Sequence, residues 1–362
     1  MISGKLLLVA RCLLTYIARC QSARPPAARV LVALALSVCA VASAGCSRLI
    51  KSKVTVPQLL SPLQQADTTR LIEEVNRNSQ VRSLRGKVDL KFLDNSFAQC
   101  GIAEEYTAAD ADITTQRPGQ IYLTIQDPFI GTKIAEMSSN GEKFWVAVLR
   151  GDQKYRRFVT GTNEASYERI GGEGEIQCGK DGNKAAMQQR AVSAFSGLRP
   201  QHFTDALLVH PAGEPGLIYA SAEVFAEEPD MRRGAKKSAR IVRGYYQLEE
   251  LRPEGEGRAL LLRRFWLDRF GGIRLARMQT FDERGTLETD VVYRDPRPFG
   301  EGRQYSLPAE IEITRPQDRY SIRINYQTPE SVRLDQQFPP EAFVLQNKDN
   351  LPVVDLDAKK PE

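Results

Sequence analysis

Alternation of apolar and polar residues dominates the chain from about residue 81 onward. Val88, Leu90 and Phe92, for example, alternate with charged residues. A period of two is typical of a β-strand that buries one face. Short turns such as Asn140-Gly141 separate the alternating segments and predict antiparallel hairpins. Further strands are predicted at 102–113, 121–126, 133–138, 143–148, 155–160, 217–225, 239–251, 258–268, 273–282, 287–294, 305–315 and 320–326.

Three segments have helical spacing instead. Asp67 is placed to cap a short helix that ends near Asn78, and Pro200 is placed to start another. A third helix is predicted over 184–195. Short helices inserted in a long antiparallel meander cannot lie within the sheet. The pattern therefore predicts a mainly β fold whose few helices pack across one face of the sheet.

The N-terminal apolar run has the properties of a secretory signal. Residues 30–44 carry no charge, and Arg24 and Arg29 precede them. Fifteen residues are short for a bilayer-spanning helix, which needs about 20. We therefore expect a signal peptide over 1–45, with a true translation start downstream of residue 1. An N-terminal membrane anchor is the alternative.

Two cleavage signals compete at the end of this run. Ala42-Ser43-Ala44 is an A-x-A site, whereas Ala44-Gly45-Cys46 has the small-small-Cys form of a lipoprotein site. After cleavage before Cys46, three cysteines remain: Cys46, Cys100 and Cys178. An odd number in an exported protein leaves one thiol to explain. Lipid on Cys46 would leave Cys100 and Cys178 as a candidate disulfide or as two isolated thiols.

Charge and motif spacing argue against several function classes. Five of the 50 basic residues and none of the 45 acidic residues precede Cys46, so the remainder is balanced and predicts no nucleic-acid binding. Residues 174–180 fit G-x-x-x-x-G-K, but Asp181 stands where Ser or Thr should bind magnesium, so no nucleotide is expected. Two histidines, His202 and His210, do not make a metal site. We expect no enzyme, no metal and no cofactor.

Some predicted strands are unusually apolar for a sheet with one wet face. One interpretation is an ordinary core of sheet against helices. The other is an inner face larger than short helices can fill, which would leave an apolar cavity for an acyl chain. The candidate cavity residues are Leu123, Ile125, Phe144, Val146, Val148, Phe195, Phe203, Leu207, Phe265 and Leu267.

Several segments, in order, resemble the LolA/LolB lipoprotein-localisation superfamily. They are LRGKVDL (84–90), PGQIYL (118–123), NGEKFW (140–145), FWLD (265–268) with DERG (282–285), and VRL (332–334) with PEAF (340–343). The resemblance implies a strongly curved, open half-barrel of antiparallel strands, covered on its concave face by short helices, with a hydrophobic ligand cavity. The chain is longer than a typical member, and the segment 171–183 is an insertion that the superfamily does not explain.

The resemblance also implies a domain plan and a function. Residues 46–62 would be the lipidated cysteine and a tether, 63–347 the half-barrel, and 348–362 a flexible tail. A lipid-anchored member resembles LolB, and Ser47 after the cysteine favours the outer membrane, facing the periplasm. Its partners would be acyl chains of lipids or lipoproteins and a periplasmic carrier protein, with Phe129 and Ile130 as a candidate membrane-contact loop. The alternative function is a sensor or scaffold of the same fold that binds a protein.

Overall fold

The computed structural model describes residues 56–95, 104–150, 153, 156–163, 198–232, 234–255, 257–303 and 305–358. Between 104 and 150, side chains are described from residue 110 onward. Cys46, Cys100, Cys178, Phe195, the predicted signal peptide, the predicted helix at 184–195 and the insertion at 171–183 lie outside these residues. The sheet and both helices described here belong to one structural unit, Pro57–Glu362.

The described strands form one open sheet, as the alternating pattern predicts. The strands are β1 (Gln58–Leu59), β2 (Ser83–Asp94), β3 (Glu104–Gln116), β4 (Gln120–Gln126), β5 (Lys133–Asn140), β6 (Lys143–Val148), β7 (Arg157–Thr162), β8 (Ile218–Pro229), β9 (Arg240–Gly255), β10 (Arg258–Asp268), β11 (Arg274–Phe281), β12 (Leu287–Phe299), β13 (Tyr305–Arg315), β14 (Tyr320–Tyr326), β15 (Arg333–Leu334) and β16 (Val353–Asp355).

The sheet is a meander in which most strands pair with their sequence neighbours. The spatial order is β1-β9-β10-β11-β12-β13-β14-β2-β3-β4-β5-β6-β7-β16, with β15 beside β2 and β8 beside β9. All pairs are antiparallel except β1 with β9 and β16 with β7. The first and last strands of this order do not pair, so the sheet stays open. The mainly β, open-sheet prediction is confirmed.

Two α-helices, α1 (Thr68–Ser79) and α2 (Pro200–Leu207), begin where the sequence predicts. The Asp67 side chain accepts a hydrogen bond from the Arg70 N–H at 2.9 Å and so caps α1. Pro200 opens α2, where its missing N–H costs nothing. Buried residues of both helices belong to one core cluster with one face of the sheet, here called the inner face.

The inner face bends around α2. Arg199, just before this helix, lies over the ring of Phe144 on β6, and Tyr293 on β12 donates a hydrogen bond to the Ala206 carbonyl. In a flat sheet β6 and β12 would be about 34 Å apart. The helix is only about 12 Å long. Contact with both strands follows from the curvature of the sheet, and it places α2 on the concave side.

Two terminal segments are more ordered than the sequence suggested. The tether predicted over 46–62 does not extend to its stated end, because Gln58–Leu59 pairs with β9 and Leu60 is buried there. The flexible tail predicted from residue 348 is also wrong for its described part, since Val353–Asp355 pairs with β7. Leu351 lies buried in a small cluster with Ala147 and Phe158. In both cases a few apolar residues within a polar segment bury against the sheet.

Candidate functional site

The predicted cavity residues occupy the inner face or the helix that covers it. Leu207 is partly buried on α2, and Phe195 lies outside the described residues. The other eight are buried in the main core cluster: Leu123, Ile125, Phe144, Val146, Val148, Phe203, Phe265 and Leu267. The structure thus brings these candidates together on the inner face and on the helix that covers it. Their burial is compatible with a filled core as well as with a ligand site.

The cavity found under the helices is small. A cavity of about 20 Å³ lies between the helices and strands β12 to β14. That volume holds about one water molecule, whereas small-molecule pockets are about 300–1,000 Å³. At this place the described residues leave no room for an acyl chain in this conformation. Of the predicted residues only Leu207 lines the cavity, together with Asn78, Leu84, Ala206, Val209, Leu275, Tyr293, Phe299, Leu307, Pro308, Ile311 and Tyr326.

The filling comes from residues that the sequence analysis did not single out. Tyr293, Phe299 and Tyr326 project from the C-terminal half of the meander and are buried beside α2. Phe299 and Tyr326 pack edge to face, with ring centroids 4.9 Å apart. Large rings occupy the volume that short helices leave open. Their spacing in the alternating strands β12 and β14 was the signal that could have revealed them.

Polar contacts fasten α2 and the residues after it, here called the α2 segment (200–212). Arg117 donates from Nη2 to the Val209 carbonyl at 2.7 Å and from Nε to the Val81 carbonyl at 3.0 Å. Burial lowers the pKa of the Arg117 guanidinium, and the charge of Asp205 opposes this shift. One cation therefore joins the end of the α2 segment to the start of β2.

Two further contacts hold the same segment. The Asn76 side chain of α1 accepts the Ala212 N–H at 2.7 Å and donates to the Ala212 carbonyl at 2.9 Å. The Tyr293 hydroxyl donates to the Ala206 carbonyl at 3.1 Å. All of these bonds end on backbone atoms of the α2 segment. The α2 segment is thus attached to the inner face by apolar packing and hydrogen bonds, without strand pairing.

The first turn of α2 contains a buried histidine. The Nδ1 atom of His202 lies 2.6 Å from the Tyr320 hydroxyl on β14. Burial, and then the charges of Arg315 and Arg199, hold the pKa of His202 well below its usual range. His202 is consequently neutral at physiological pH. This contact holds the first turn of α2 against β14.

The buried histidine gives the fold a specific pH dependence. An unfolded histidine takes up a proton near pH 6.5, whereas folded His202 does not. Stability is fully present above about pH 6.5 and falls as the pH drops below it, by about 1.4 kcal/mol between pH 7.5 and 5.5. Urea unfolding at both pH values measures this loss. His202→Gln should lack this component and the exposed His210→Gln should keep it; equal losses in both variants would refute the assignment.

The end of the α2 segment also contacts a buried ion pair. Arg263 of β10 contacts both carboxylate oxygens of Glu250 on β9 at 2.6 Å. It also donates to the carbonyls of His210 at 3.1 Å and Pro211 at 2.8 Å. The Tyr219 hydroxyl donates to the same carboxylate at 2.8 Å. Because Glu250 is 2% exposed, the cluster is a buried clamp on the end of the α2 segment.

The candidate membrane-contact loop is exposed. Phe129 and Ile130 connect β4 to β5 and are 94% and 64% accessible to solvent. The Asp127 carboxylate accepts their backbone N–H groups at 2.9 and 3.2 Å, which fixes the turn. Gly131 follows with φ of +64°, in the left-handed region that favours glycine. A rigid turn therefore presents two large apolar side chains to solvent.

Other kinds of site are not seen in the part of the chain that the structure describes. No three His, Cys, Asp or Glu side chains there come together as metal ligands. None of the described helices combines the length and apolar character needed to cross a bilayer. The polar attachments of the α2 segment and the exposed loop are the features that remain to be explained.

Comparisons with known proteins found matches among solved structures. No family model and no curated protein matches the chain. Among solved structures, a LolA superfamily protein from Nitrosomonas europaea aligns with 79% of this chain and 100% of its own length, at 10% identity and a TM-score of 0.37. A putative outer membrane lipoprotein-sorting protein domain from Vibrio parahaemolyticus aligns with 78% and 98%, at 10% identity and a TM-score of 0.37.

A DUF1329 family protein from Desulfovibrio piger is a third similar structure. It aligns with 76% of this chain and 95% of its own length, at 10% identity and a TM-score of 0.38.

Proposed function

We propose that this protein binds the acyl chains of lipids or lipoproteins between the inner face of its sheet and the α2 segment, without catalysis. The observation that carries the proposal is the attachment of that segment. It covers the apolar inner face, and besides apolar packing it is fastened by hydrogen bonds that involve Arg117, Asn76, Tyr293, Tyr320 and Arg263. Such a cover can be displaced while the sheet behind it stays intact.

The free-energy terms for exchanging the cover for a lipid are similar in size. Each methylene removed from water contributes about 0.8 kcal/mol, so twelve of them contribute about 10 kcal/mol. Each hydrogen bond lost by the α2 segment costs about 1–3 kcal/mol, and water compensates part of that cost. The side chains that fill the wall now would rotate or move with α2. The filled core is thus interpreted as the closed, ligand-free state.

Photolabelling tests this binding site. A palmitate analogue that carries a diazirine on its chain should label peptides of the inner face, such as β4 and β13, and those of the α2 segment. When labelling is resolved to single residues, the outer-face Trp145 and Trp266 should stay unlabelled, because their side chains alternate away from the inner face. Labelling confined to the outer face would rule out the proposed site.

The envelope location belongs to the same proposal. Lipid on Cys46 would anchor the protein in the outer membrane, facing the periplasm, where a periplasmic carrier protein would supply cargo. An alkyne-bearing palmitate should label the full-length chain metabolically, and Cys46→Ala should abolish that labelling. Full labelling of the Cys46→Ala variant would show that the anchor is elsewhere.

The exposed loop is proposed as the membrane contact. Phe129→Ser together with Ile130→Ser should reduce binding of the protein to phospholipid vesicles by about tenfold, because two large apolar side chains no longer enter the bilayer. Vesicle co-flotation measures the effect. Met231→Ser is the matched control, since Met231 is also strongly exposed but lies in the turn between β8 and β9. Equal losses from both changes would argue against a specific role for the loop.

A protein-binding sensor or scaffold is the second candidate function. The nearly filled core among the described residues favours it, because such a protein needs no internal cavity. It predicts no acyl photolabelling at the inner face. It also predicts that the Phe129 and Ile130 changes impair binding to a protein and leave binding to vesicles unchanged.

A further inference from the structure

Strand β8 forms one border of the described sheet. Twelve residues, Ile218 to Pro229, pair with β9 in a continuous register without a bulge. Among the described residues, no strand pairs with the opposite edge of β8. A long regular edge with unpaired backbone groups is a template for another strand. Natural edge strands usually carry lysine, an internal proline or a bulge, and β8 has proline only at its last position.

Small and apolar side chains dominate this edge. Ala220, Ser221 and Ala222 are exposed at its centre, and Ile218 and Phe225 toward its ends are about half exposed. Such residues allow a second backbone to approach closely. They also offer apolar surface that a neighbouring strand would bury.

The three glutamates of β8 do not leave the edge strongly charged, because each pairs with an arginine of the same chain. Glu223 contacts the buried Arg269 at 2.7 Å. Glu227 pairs with Arg240, and Glu228 lies 3.6 Å from Arg243. A like strand can therefore approach without a large repulsive field.

We propose that β8 pairs with β8 of a second copy of this chain, antiparallel and centred on Ala222. A two-fold axis perpendicular to the sheet keeps each face continuous and places residues whose numbers sum to 444 opposite each other. In this register Glu223 opposes Ser221, and Glu227 opposes Leu217. No glutamate faces another glutamate. A register centred one residue later would place Glu223 against its own copy, which is unfavourable.

The same register joins the apolar residues of the two copies. Tyr219 opposes Phe225, an aromatic pair on the inner face, and Ile218 opposes Ala226 on the outer face. Cross-strand pairs of this kind stabilise antiparallel sheets. The two-copy assembly is a single extended sheet, and it leaves the α2 segment and the Phe129 loop free for the proposed function. This inference does not depend on lipid binding.

Cysteine cross-linking tests the register directly. Ala222 would lie opposite its own copy, with Cα atoms about 4.5–5.5 Å apart, a separation that a disulfide can bridge. Ala220 would lie about 14 Å from its own copy, although it is also exposed and on the same face. In full-length protein in membranes, Ala222→Cys should form at least tenfold more disulfide-linked dimer than Ala220→Cys. The parent chain, with its native cysteines, gives the background.

A second variant separates the interface from folding. Ala222→Lys should abolish the dimer, measured by sedimentation of the detergent-extracted chain, and should leave the far-UV circular dichroism spectrum of the folded chain unchanged because the position is exposed in the single copy. Equal cross-linking at 220 and 222 would overturn the register. A parent chain that is monomeric at every concentration, or a cross-link from position 222 to a different protein, would overturn the pairing of two copies.

Discussion

Replacement of Arg117 by leucine should release the α2 segment without unfolding the sheet. The change removes two charge-assisted hydrogen bonds, to the Val81 and Val209 carbonyls, at a cost of about 2–3 kcal/mol. Amide hydrogen exchange in residues 200–212 should then accelerate by about 30- to 150-fold. Exchange in β2 and β14 should change far less. Hydrogen–deuterium exchange with mass spectrometry resolves these regions.

Two comparisons make this result specific to the attachment. Arg117→Lys retains the charge but cannot bridge two carbonyls with a planar fork, so it should behave nearly as Arg117→Leu does. Arg252→Leu removes an exposed arginine whose two ion pairs are 3.9 and 4.0 Å long, and it should have no effect. Uniform acceleration across the sheet would instead mean that Arg117 supports the fold as a whole.

Replacement of Glu250 by leucine should be the most destabilising change in the buried clamp. It leaves Arg263 largely buried beside an apolar side chain, and the expected loss is about 3–5 kcal/mol in the free energy of unfolding. The end of the α2 segment would lose two hydrogen bonds as well, because Arg263 also donates to the His210 and Pro211 carbonyls. Urea denaturation measures the loss.

The neighbouring ion pair supplies a matched control. Glu249 and Arg264 connect the same two strands on the outer face, where each side chain is about 30% exposed. Glu249→Leu should cost about 1 kcal/mol or less. The double change Glu250→Leu with Arg263→Met should recover much of the loss by removing the unpaired charge. A cost for Glu249→Leu as large as that for Glu250→Leu would show that burial is not what makes the clamp strong.

The strands could be predicted closely because their signal is local. Alternation fixed Arg258–Asp268, Tyr305–Arg315 and Tyr320–Tyr326 at the bounds that the structure has. Asp67 and Pro200 likewise marked the starts of α1 and α2 through short-range backbone chemistry. One buried face per strand was enough to predict helices packed across one face of the sheet. The curvature of the sheet was expected only from the resemblance to the LolA/LolB superfamily.

The attachments of the α2 segment could not be predicted because their partners are distant backbone atoms. Arg117 binds carbonyls 36 and 92 residues away in the chain, and a carbonyl carries no sequence signature. Strands β1 and β16 have only two and three residues, which is too few to show a periodic pattern. Their partners, β9 and β7, are also far away in the chain. The filled cavity was missed for a related reason, since its volume depends on rings from several strands.

Native mass spectrometry of the full-length protein, extracted from its own membrane in mild detergent, tests acyl-chain binding most directly. The account predicts a fraction of molecules heavier than the lipidated chain by the mass of a phospholipid, a fatty acid or a lipoprotein. That fraction should grow in Arg117→Leu, whose α2 segment moves more readily. Parent protein and variant that are both free of extra mass in repeated preparations would contradict it.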